Sequence, residues 1–343
     1  MGNTKLRVLR IGPKNYPPDH GGVEKNASLL VQLMPWIENH VFTEQEPREA
    51  LPRVWVLPKG FMSQVKQLRQ YAARNHIDIV HAHKETFIPL ALCLKLCGYP
   101  CVVTVHGCAW RLRRWPRRIR VLLFLLDVVA CWLMDATVFV GEHDYRLFRR
   151  IVPHKRLHLI RNGVTTDERK ESQRTDRAVY LGRLSPEKNI VALIEAATAA
   201  GLQLDLYGPL DRRDAEFQLR IKYALDNSKY VKWMGKVDAA NIEDTLGKYR
   251  IFINPSFSEG MPTSVLEAAS QGLFLVLSDI AAHRVLGLPG CLYIDPNNLS
   301  LQDVPSEVEM LHRKGRANRQ HVKTRFSIQK TIEAYDELYG SLS

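Results

Sequence analysis

The sequence predicts an α/β protein made of two parallel-sheet, Rossmann-like domains, on the strength of three observations. Short apolar runs rich in β-branched residues alternate along the whole chain with segments of helical periodicity, the pattern of strands joined by crossover helices. A length of 343 residues corresponds to about two domains, and 45% hydrophobic residues can fill two cores. Near the middle, Thr165 to Asp176 is charged and poor in apolar residues, as a linker is. A first domain over 1–165 and a second over 176–327 follow.

In the first domain the candidate strands are Leu6 to Ile11, Val54 to Leu57, Ile77 to His81, Cys101 to Val105, Ala136 to Val140 and Leu157 to Ile160. Between the first strand and a helix starting near Val23 runs the loop Gly12 to Gly22. Its paired glycines let backbone N–H groups approach a phosphate closely, or simply make a tight turn. Val121 to Met134 reads as a core helix with a solvated basic start. The second domain offers Ala178 to Leu181, Leu202 to Tyr207, Val231 to Met234, Ile251 to Asn254, Phe274 to Leu277 and Cys291 to Ile294. In open parallel sheets ligands bind beyond the carboxyl ends of the strands, so the expected site is the cleft where those ends of both sheets meet. Neither a solenoid repeat nor a low-complexity segment is present.

Two segments of the second domain carry the chemistry. Ile251 to Asn254 stops at Pro255, a loop containing Glu259 follows, and a helix is expected over Thr263 to Gln271, with Pro262 in its first turn and Gly272 as its stop. Backbone N–H groups around Gly260, Met261, Pro262, Thr263 and Ser264 would face a ligand, and a helix N-terminus attracts anions such as a diphosphate. Glu267 can accept hydrogen bonds from two neighbouring hydroxyls, as a ribose demands. The other segment, Val179 to Asn189, reads as a strand, a turn at Gly182 and a helix from near Pro186. Arg183 and Lys188 bracket that turn, a guanidinium fork and a point charge able to converge on phosphate oxygens. Either pair alone is commonly a solvated surface feature; together they make a clamp for a sugar nucleotide.

With these segments in view, the chain resembles the retaining glycosyltransferases of family 4, which have the GT-B fold. The resemblance runs in order through His20-Gly21-Gly22-Val23-Glu24, Val80-His81-Ala82-His83, Thr104-Val105-His106-Gly107, Asn162-Gly163-Val164, Gly182 to Asn189 and Glu259 to Glu267. It implies transfer of a sugar from a nucleoside diphosphate sugar with retained anomeric configuration and no enzyme-bound metal. A UDP-sugar is the favoured donor and a GDP-sugar the second choice; the base is expected near Lys236 and Val237. By the same resemblance Gly22 lies near the donor diphosphate, and Glu259 orients the donor sugar. His106 contacts that sugar or helps deprotonate the acceptor, and a last helix, about Ile328 to Tyr339, returns to the first domain. The leaving phosphate is expected to assist proton removal on the same face.

Charge is unevenly distributed. Residues 1–170 hold 27 Lys and Arg against 14 Asp and Glu, whereas 171–343 hold 21 against 22, so the net charge of +12 belongs to the first half. Arg111, Arg113, Arg114, Arg117, Arg118 and Arg120, interleaved with Trp110 and Trp115, suit an anionic membrane surface or an anionic acceptor. A glycan or lipid-linked acceptor in surface polysaccharide synthesis fits that charge. The polar start at Met1 to Lys5 is unlike a signal segment, and no apolar run is long enough to span, so a cytoplasmic protein, peripheral at the membrane face, is expected. Six cysteines, at 93, 97, 101, 108, 131 and 291, lack paired metal-ligand spacing and read as buried reduced thiols. His81 and His83 would share a strand face, but no third metal ligand stands nearby, so packing is the expectation. Two rivals can be separated by experiment. A basic nucleic-acid binder would bind oligonucleotides in a salt-sensitive way without transfer, and an epimerase of the same architecture would isomerise the donor with no acceptor present.

Overall fold

The computed structural model describes residues 5–18, 22–47, 50–108, 110, 116–152, 154–166, 174–211 and 214–343. The chain forms two units, one of residues 1–162 with 329–343 and the other of 163–328.

In chain order the first unit contains β1 (Arg7–Ile11), α1 (Gly22–Leu33), β2 (Glu38–Thr43), β3 (Val54–Val56), α2 (Phe61–Arg74), β4 (Ile79–Ala82), α3 (Ile88–Lys95) and β5 (Cys101–Val105). It continues with α4 (Arg117–Leu133), β6 (Ala136–Phe139), α5 (Glu142–Phe148) and β7 (Leu157–Leu159). All pairings in its seven-stranded sheet, order β3-β2-β1-β4-β5-β6-β7, are parallel. The strand Glu38–Thr43 was not among the sequence expectations. Its first half, Glu38-Asn39-His40, is polar, but the His40 ring is buried and satisfied by the Tyr71 hydroxyl at 2.7 Å and Glu38 at 3.1 Å.

The second unit contains β8 (Thr175–Leu181), α6 (Ile190–Ala199), β9 (Leu204–Tyr207), α7 (Ala215–Asp226), β10 (Val231–Gly235), α8 (Ile242–Leu246) and β11 (Tyr249–Asn254). Then come α9 (Thr263–Ser270), β12 (Phe274–Ser278), α10 (Ala281–Arg284), β13 (Cys291–Ile294) and α11 (Val308–Arg325). Its six strands, order β10-β9-β8-β11-β12-β13, are also parallel throughout. Alternation along β8 divides the core in two. Ala178 and Tyr180 belong to one cluster, with α6 and α7, while Val179 and Leu181 belong to the other, with α9. Strand order reverses between β1 and β4 in one unit and between β8 and β11 in the other, the kind of position at which open parallel sheets bind ligands.

The last helix, α12 (Ile328–Gly340), buries Tyr335 and Tyr339. The Tyr339 hydroxyl lies 2.6 Å from His81 Nδ1 and accepts from Arg10 Nη1 at 2.9 Å, while the Tyr335 hydroxyl is 3.0 Å from Thr104 Oγ1. These contacts seat α12 across the carboxyl ends of β1, β4 and β5.

Helix α4 departs from the core-helix expectation. Only Asp127, Ala130 and Cys131 are buried, and much of its apolar surface faces outward. Arg117 and Arg118 are exposed, and Arg120 turns back to donate from Nε to the Trp110 carbonyl at 2.6 Å; Arg111, Arg113 and Arg114 lie outside the described residues. Among the described residues no helix is long and apolar enough to cross a membrane. The cysteines are free, but only Cys101, Cys108 and Cys131 are buried, Cys97 being exposed because it lies in the turn after α3. Burial pushes the Cys101 and Cys131 thiols up to about 12.

Beneath α4, burial and then the negative charge of Glu85 hold the Asp127 carboxyl up at about 8, with Trp110 and Cys108 offsetting this only in part. An unfolded aspartate ionises near pH 4, so above that the unfolded state gives up its proton while the folded state keeps it. Stability should fall as pH rises from about 4 to about 8, by about 1.4 kcal/mol per pH unit from this group. Urea unfolding across that window should show a shallower pH slope in Asp127→Asn than in the parent.

Candidate active site

In the second unit β8 ends at Leu181 and the chain turns at Gly182 against Gly208, whose φ is +141°. A Cβ on Gly208 would lie 1.8 Å from the Gly182 carbonyl oxygen, so only glycine permits this approach. Arg183 follows with its side chain exposed. The expected helix from Pro186 is instead a single 3-10 turn, Pro186–Lys188, broken by Asn189 at φ 57° before α6 begins. Asn189 tolerates the left-handed conformation and donates from Nδ2 to the Pro296 carbonyl at 2.8 Å. This break sets Lys188 at the tip of its own turn.

From the neighbouring strand, β11 runs into the loop that carries Glu259. Phe257 N donates to the Glu187 carbonyl at 3.0 Å, so the two loops are joined through backbone. Glu259 Oε1 accepts from Lys188 Nζ at 2.6 Å, Ser256 Oγ at 2.7 Å and Asn254 Nδ2 at 3.2 Å. The Glu259 side chain is 9% exposed. Burial alone would raise its pKa, but the ammonium of Lys188, helped by His283 and Ser256, outweighs it, and the carboxyl is held below its usual range. Glu259 is therefore an anion whose Oε2 makes no hydrogen bond among the described residues, and Lys188 has used one of three donors.

Pro262 stands one residue before α9 rather than inside it, and Gly272, at φ +72°, closes the turn after it. The first bond of the helix runs from Val265 N to the Pro262 carbonyl at 3.1 Å, which leaves the amides of Thr263 and Ser264 ahead of the ladder. Gly260 and Met261 are half-buried beside them, and Glu267, within α9, is buried. Val237, two residues past β10, is half-buried against the cluster that includes α9.

Sequence reasoning assigned no role to Asn254, Ser256 or His283. His283 Nδ1 is 2.8 Å from the Ser278 carbonyl, and Ser278 Oγ donates to the Ser256 carbonyl at 2.6 Å, so a buried polar chain runs behind Glu259. Asn254-Pro255-Ser256 at a strand end was the available signal for the first two. For His283, 24 residues beyond Glu259, the sequence offers none.

In the first unit, Gly22 is the exposed first residue of α1; His20 and Gly21 lie outside the described residues. His106 follows β5, and both its ring nitrogens are buried without a hydrogen-bond partner among the described residues. Burial and then nearby Lys84 hold it down to about 3, so it is a neutral imidazole. Its ring stacks 6.2 Å from His83, which stacks 4.0 Å from His81. Both His81 nitrogens are engaged, Nε2 lying 2.7 Å from Thr104 Oγ1, in keeping with a packing role. Among the described residues no group of three or more His, Cys, Asp or Glu is arranged for a metal. Gly22 and His106 thus belong to the first unit, and Arg183, Lys188, Val237, Glu259 to Ser264 and Glu267 to the second.

Two parallel-sheet α/β units, each with loops at the carboxyl ends of its strands, define a GT-B protein, and solved structures agree. Sucrose-phosphate synthase from Thermosynechococcus elongatus superposes with a TM-score of 0.83 over 98% of this chain and 99% of its own, at 15% identity. Anabaena HepE in complex with UDP-glucose gives 0.79 over 98% and 100%, also at 15% identity. Residues 35–168 match the model of Glycosyltransferase Family 4 and residues 175–303 that of Glycosyl transferases group 1, and the chain belongs to this family. Among curated relatives, the GDP-mannose:cellobiosyl-diphosphopolyprenol alpha-mannosyltransferase of Xanthomonas campestris is 28% identical over 219 residues, 59% of this chain and 56% of that protein. The UDP-Gal:alpha-D-GlcNAc-diphosphoundecaprenol alpha-1,3-galactosyltransferase of Escherichia coli is 24% identical over 318 residues, 81% of this chain and 79% of that protein. The chain thus spans little more than half of the first relative.

Proposed function

We propose that the protein transfers a sugar, with retained anomeric configuration, from a nucleoside diphosphate sugar to a glycan or lipid-linked acceptor in surface polysaccharide synthesis. The observation that carries this reading is the Lys188–Glu259 pair, braced by Asn254 and Ser256 beside the open amides of α9. Breaking the anomeric bond places negative charge on the departing diphosphate. Arg183, the remaining Lys188 donors and the Thr263 and Ser264 amides meet it with fixed positive charge, which lowers the barrier. Glu259 Oε2 accepts from hydroxyls of the donor sugar and Glu267 from the ribose, with the base beside Val237. A histidine held neutral to about pH 3 is a weak base, so His106 serves better as a hydrogen-bonding partner of the sugar than as proton acceptor, and the leaving phosphate takes the acceptor's proton.

The favoured donor is a UDP-sugar, in line with the UDP-glucose complex of HepE, and the mannosyltransferase relative keeps a GDP-sugar as the second choice. Thermal-shift screening of UDP, GDP and their sugars tests this, because a ligand that binds only the folded chain raises the melting temperature. No shift with any of them would remove the reading. Glu267→Ala should weaken donor binding by about tenfold or more in calorimetry, the loss of a charge-assisted pair of hydrogen bonds; unchanged affinity would contradict the ribose role. Conversion of the donor to its epimer without acceptor would replace transfer by epimerisation.

A further inference from the structure

The sheet of the first unit buries a polar row where apolar side chains would be expected. Leu9, Ile11, Val80, Ala82, Val103 and Val105 lie on one face, in the main hydrophobic cluster. The alternate positions Arg10, His81 and Thr104 therefore lie on the other face, under α12, and His83 and His106 continue the row just past the ends of β4 and β5. Arg10, His81, His83 and Thr104 are fully buried. A guanidinium in such a place is costly unless its donors are put to use. The groups hydrogen-bonded to it among the described residues are all neutral. Asn39 Oδ1 accepts from Nε at 2.7 Å, and Nη1 lies 2.9, 3.2 and 3.4 Å from the Tyr339 hydroxyl, His81 Nδ1 and His83 Nε2.

An arginine cannot accept a hydrogen bond, so each ring nitrogen facing it carries a lone pair. Burial, reinforced by the charge of Arg10, holds both imidazoles well below their ordinary range, so each keeps one proton on its other nitrogen. The hydrogens can then be assigned without conflict. Those on Nη1 go to the Tyr339 oxygen and His83 Nε2, the Tyr339 hydroxyl donates to His81 Nδ1 at 2.6 Å, and His81 Nε2 donates to Thr104 Oγ1 at 2.7 Å. The two histidines are thus opposite tautomers, Nε2–H at His81 and Nδ1–H at His83. His83 Nδ1 has no hydrogen-bond partner among the described residues, so the ring is held by hydrogen bonding from the Arg10 side only. It stacks on His106 with centroids 6.2 Å apart and planes 26° from parallel. His106 makes no ring hydrogen bond among the described residues, which leaves this stack to set its orientation.

We propose that Arg10 is a positioning residue for sugar transfer: by donating to His83 Nε2 it fixes the ring on which His106 stacks, and so the direction in which His106 presents its nitrogens. The hydrogen bond orients the His83 ring, and the Nδ1–H tautomer reports it. This inference rests on the proposed function, in which His106 meets the donor sugar. A seat for α12 would not by itself require the guanidinium, since Tyr335 reaches Thr104 at 3.0 Å with no cation involved.

The test combines ring tautomers with kinetics. In protein labelled with 15N-histidine, couplings between ring nitrogens and carbon-bound ring protons report the tautomer, and the parent should show Nδ1–H at His83 and Nε2–H at His81. Arg10→Met should release His83 to the Nε2–H form usual in water and lower kcat by about tenfold or more, with KM for the donor within about twofold. Arg10→Lys, which restores a donor, should recover part of both. Tyr335→Phe removes a bond of α12 and should lower the melting temperature while leaving the His83 tautomer and kcat unchanged, so loosening of the helix is separated from positioning. Should Arg10→Met fail to fold, His83→Leu removes the stack directly, and the same fall in kcat is expected. Nε2–H at His83 in the parent, or full kcat in Arg10→Met or His83→Leu, would overturn the inference. Failure of the proposed function would look different: UDP, GDP and their sugars would leave the melting temperature of the parent unmoved, whatever the tautomers.

Discussion

Lys188→Ala should lower transfer by about a hundredfold to a thousandfold in kcat, the loss expected when one fixed charge aimed at a developing anion is removed. A second effect is specific to this fold. Lys188 Nζ is 2.6 Å from Glu259 Oε1, and without it a carboxylate 9% exposed keeps only the neutral donors Ser256 and Asn254 together with the more distant field of His283. The balance that now holds Glu259 below its usual range then shifts toward burial, which raises it. In the parent the pair contributes stability above the unfolded glutamate pKa, near 4.3, which is lost as pH falls through the lower folded value. In Lys188→Ala that acid-side loss should shrink and reverse, stability rising as the pH falls from about 7 to 4, and urea unfolding across that window would detect it. Glu259→Gln in the Lys188→Ala background should recover stability but not turnover. Near-normal transfer in Lys188→Ala would remove the diphosphate role, and restoration of turnover by the double variant would make the pair purely structural.

Gly208→Ala should cost more than about 3 kcal/mol or leave the chain insoluble, a loss beyond most single substitutions. The added Cβ would stand 1.8 Å from the Gly182 oxygen and 2.7 Å from its carbon, and the obstacle is backbone rather than a movable side-chain tip. Relief requires the turns after β8 and β9 to part, and the turn after β8 carries Arg183. Gly60→Ala provides the contrast: its φ is also positive, at +91°, but nothing lies within 4 Å of the added carbon. It should lose only about 1 to 2 kcal/mol from backbone strain. Equal melting temperatures for the two variants would show that the close approach is unimportant.

What the sequence made legible were the features written in local pattern. Cys101–Val105 and Cys291–Ile294 appear at the expected bounds because buried parallel strands are nearly continuous apolar runs closed by turn residues. Gly272 stops α9 in the left-handed conformation expected of it. Glu38–Thr43 was hidden because half of it is polar and its burial is made good by Tyr71, a residue 31 positions beyond His40. Periodicity cannot tell which side of an apolar helix is covered, so the exposure of α4 was invisible until β6 and α5 were in place. At the site, residue types and order located Arg183, Lys188, Glu259 and Glu267. The direct Lys188–Glu259 contact was not readable, because it depends on Asn189 breaking the helix and on the Phe257 to Glu187 backbone bond.

Arg10 is fully buried in β1, yet the hydroxyl that accepts from its Nη1 belongs to Tyr339, 329 residues further along the chain. A ribosome threads the chain out from its amino end, so the opening sheet waits in an unfinished state through synthesis of everything that follows. A nascent chain stalled before residue 335 should remain protease-sensitive in its first unit, and extension through α12 should protect it.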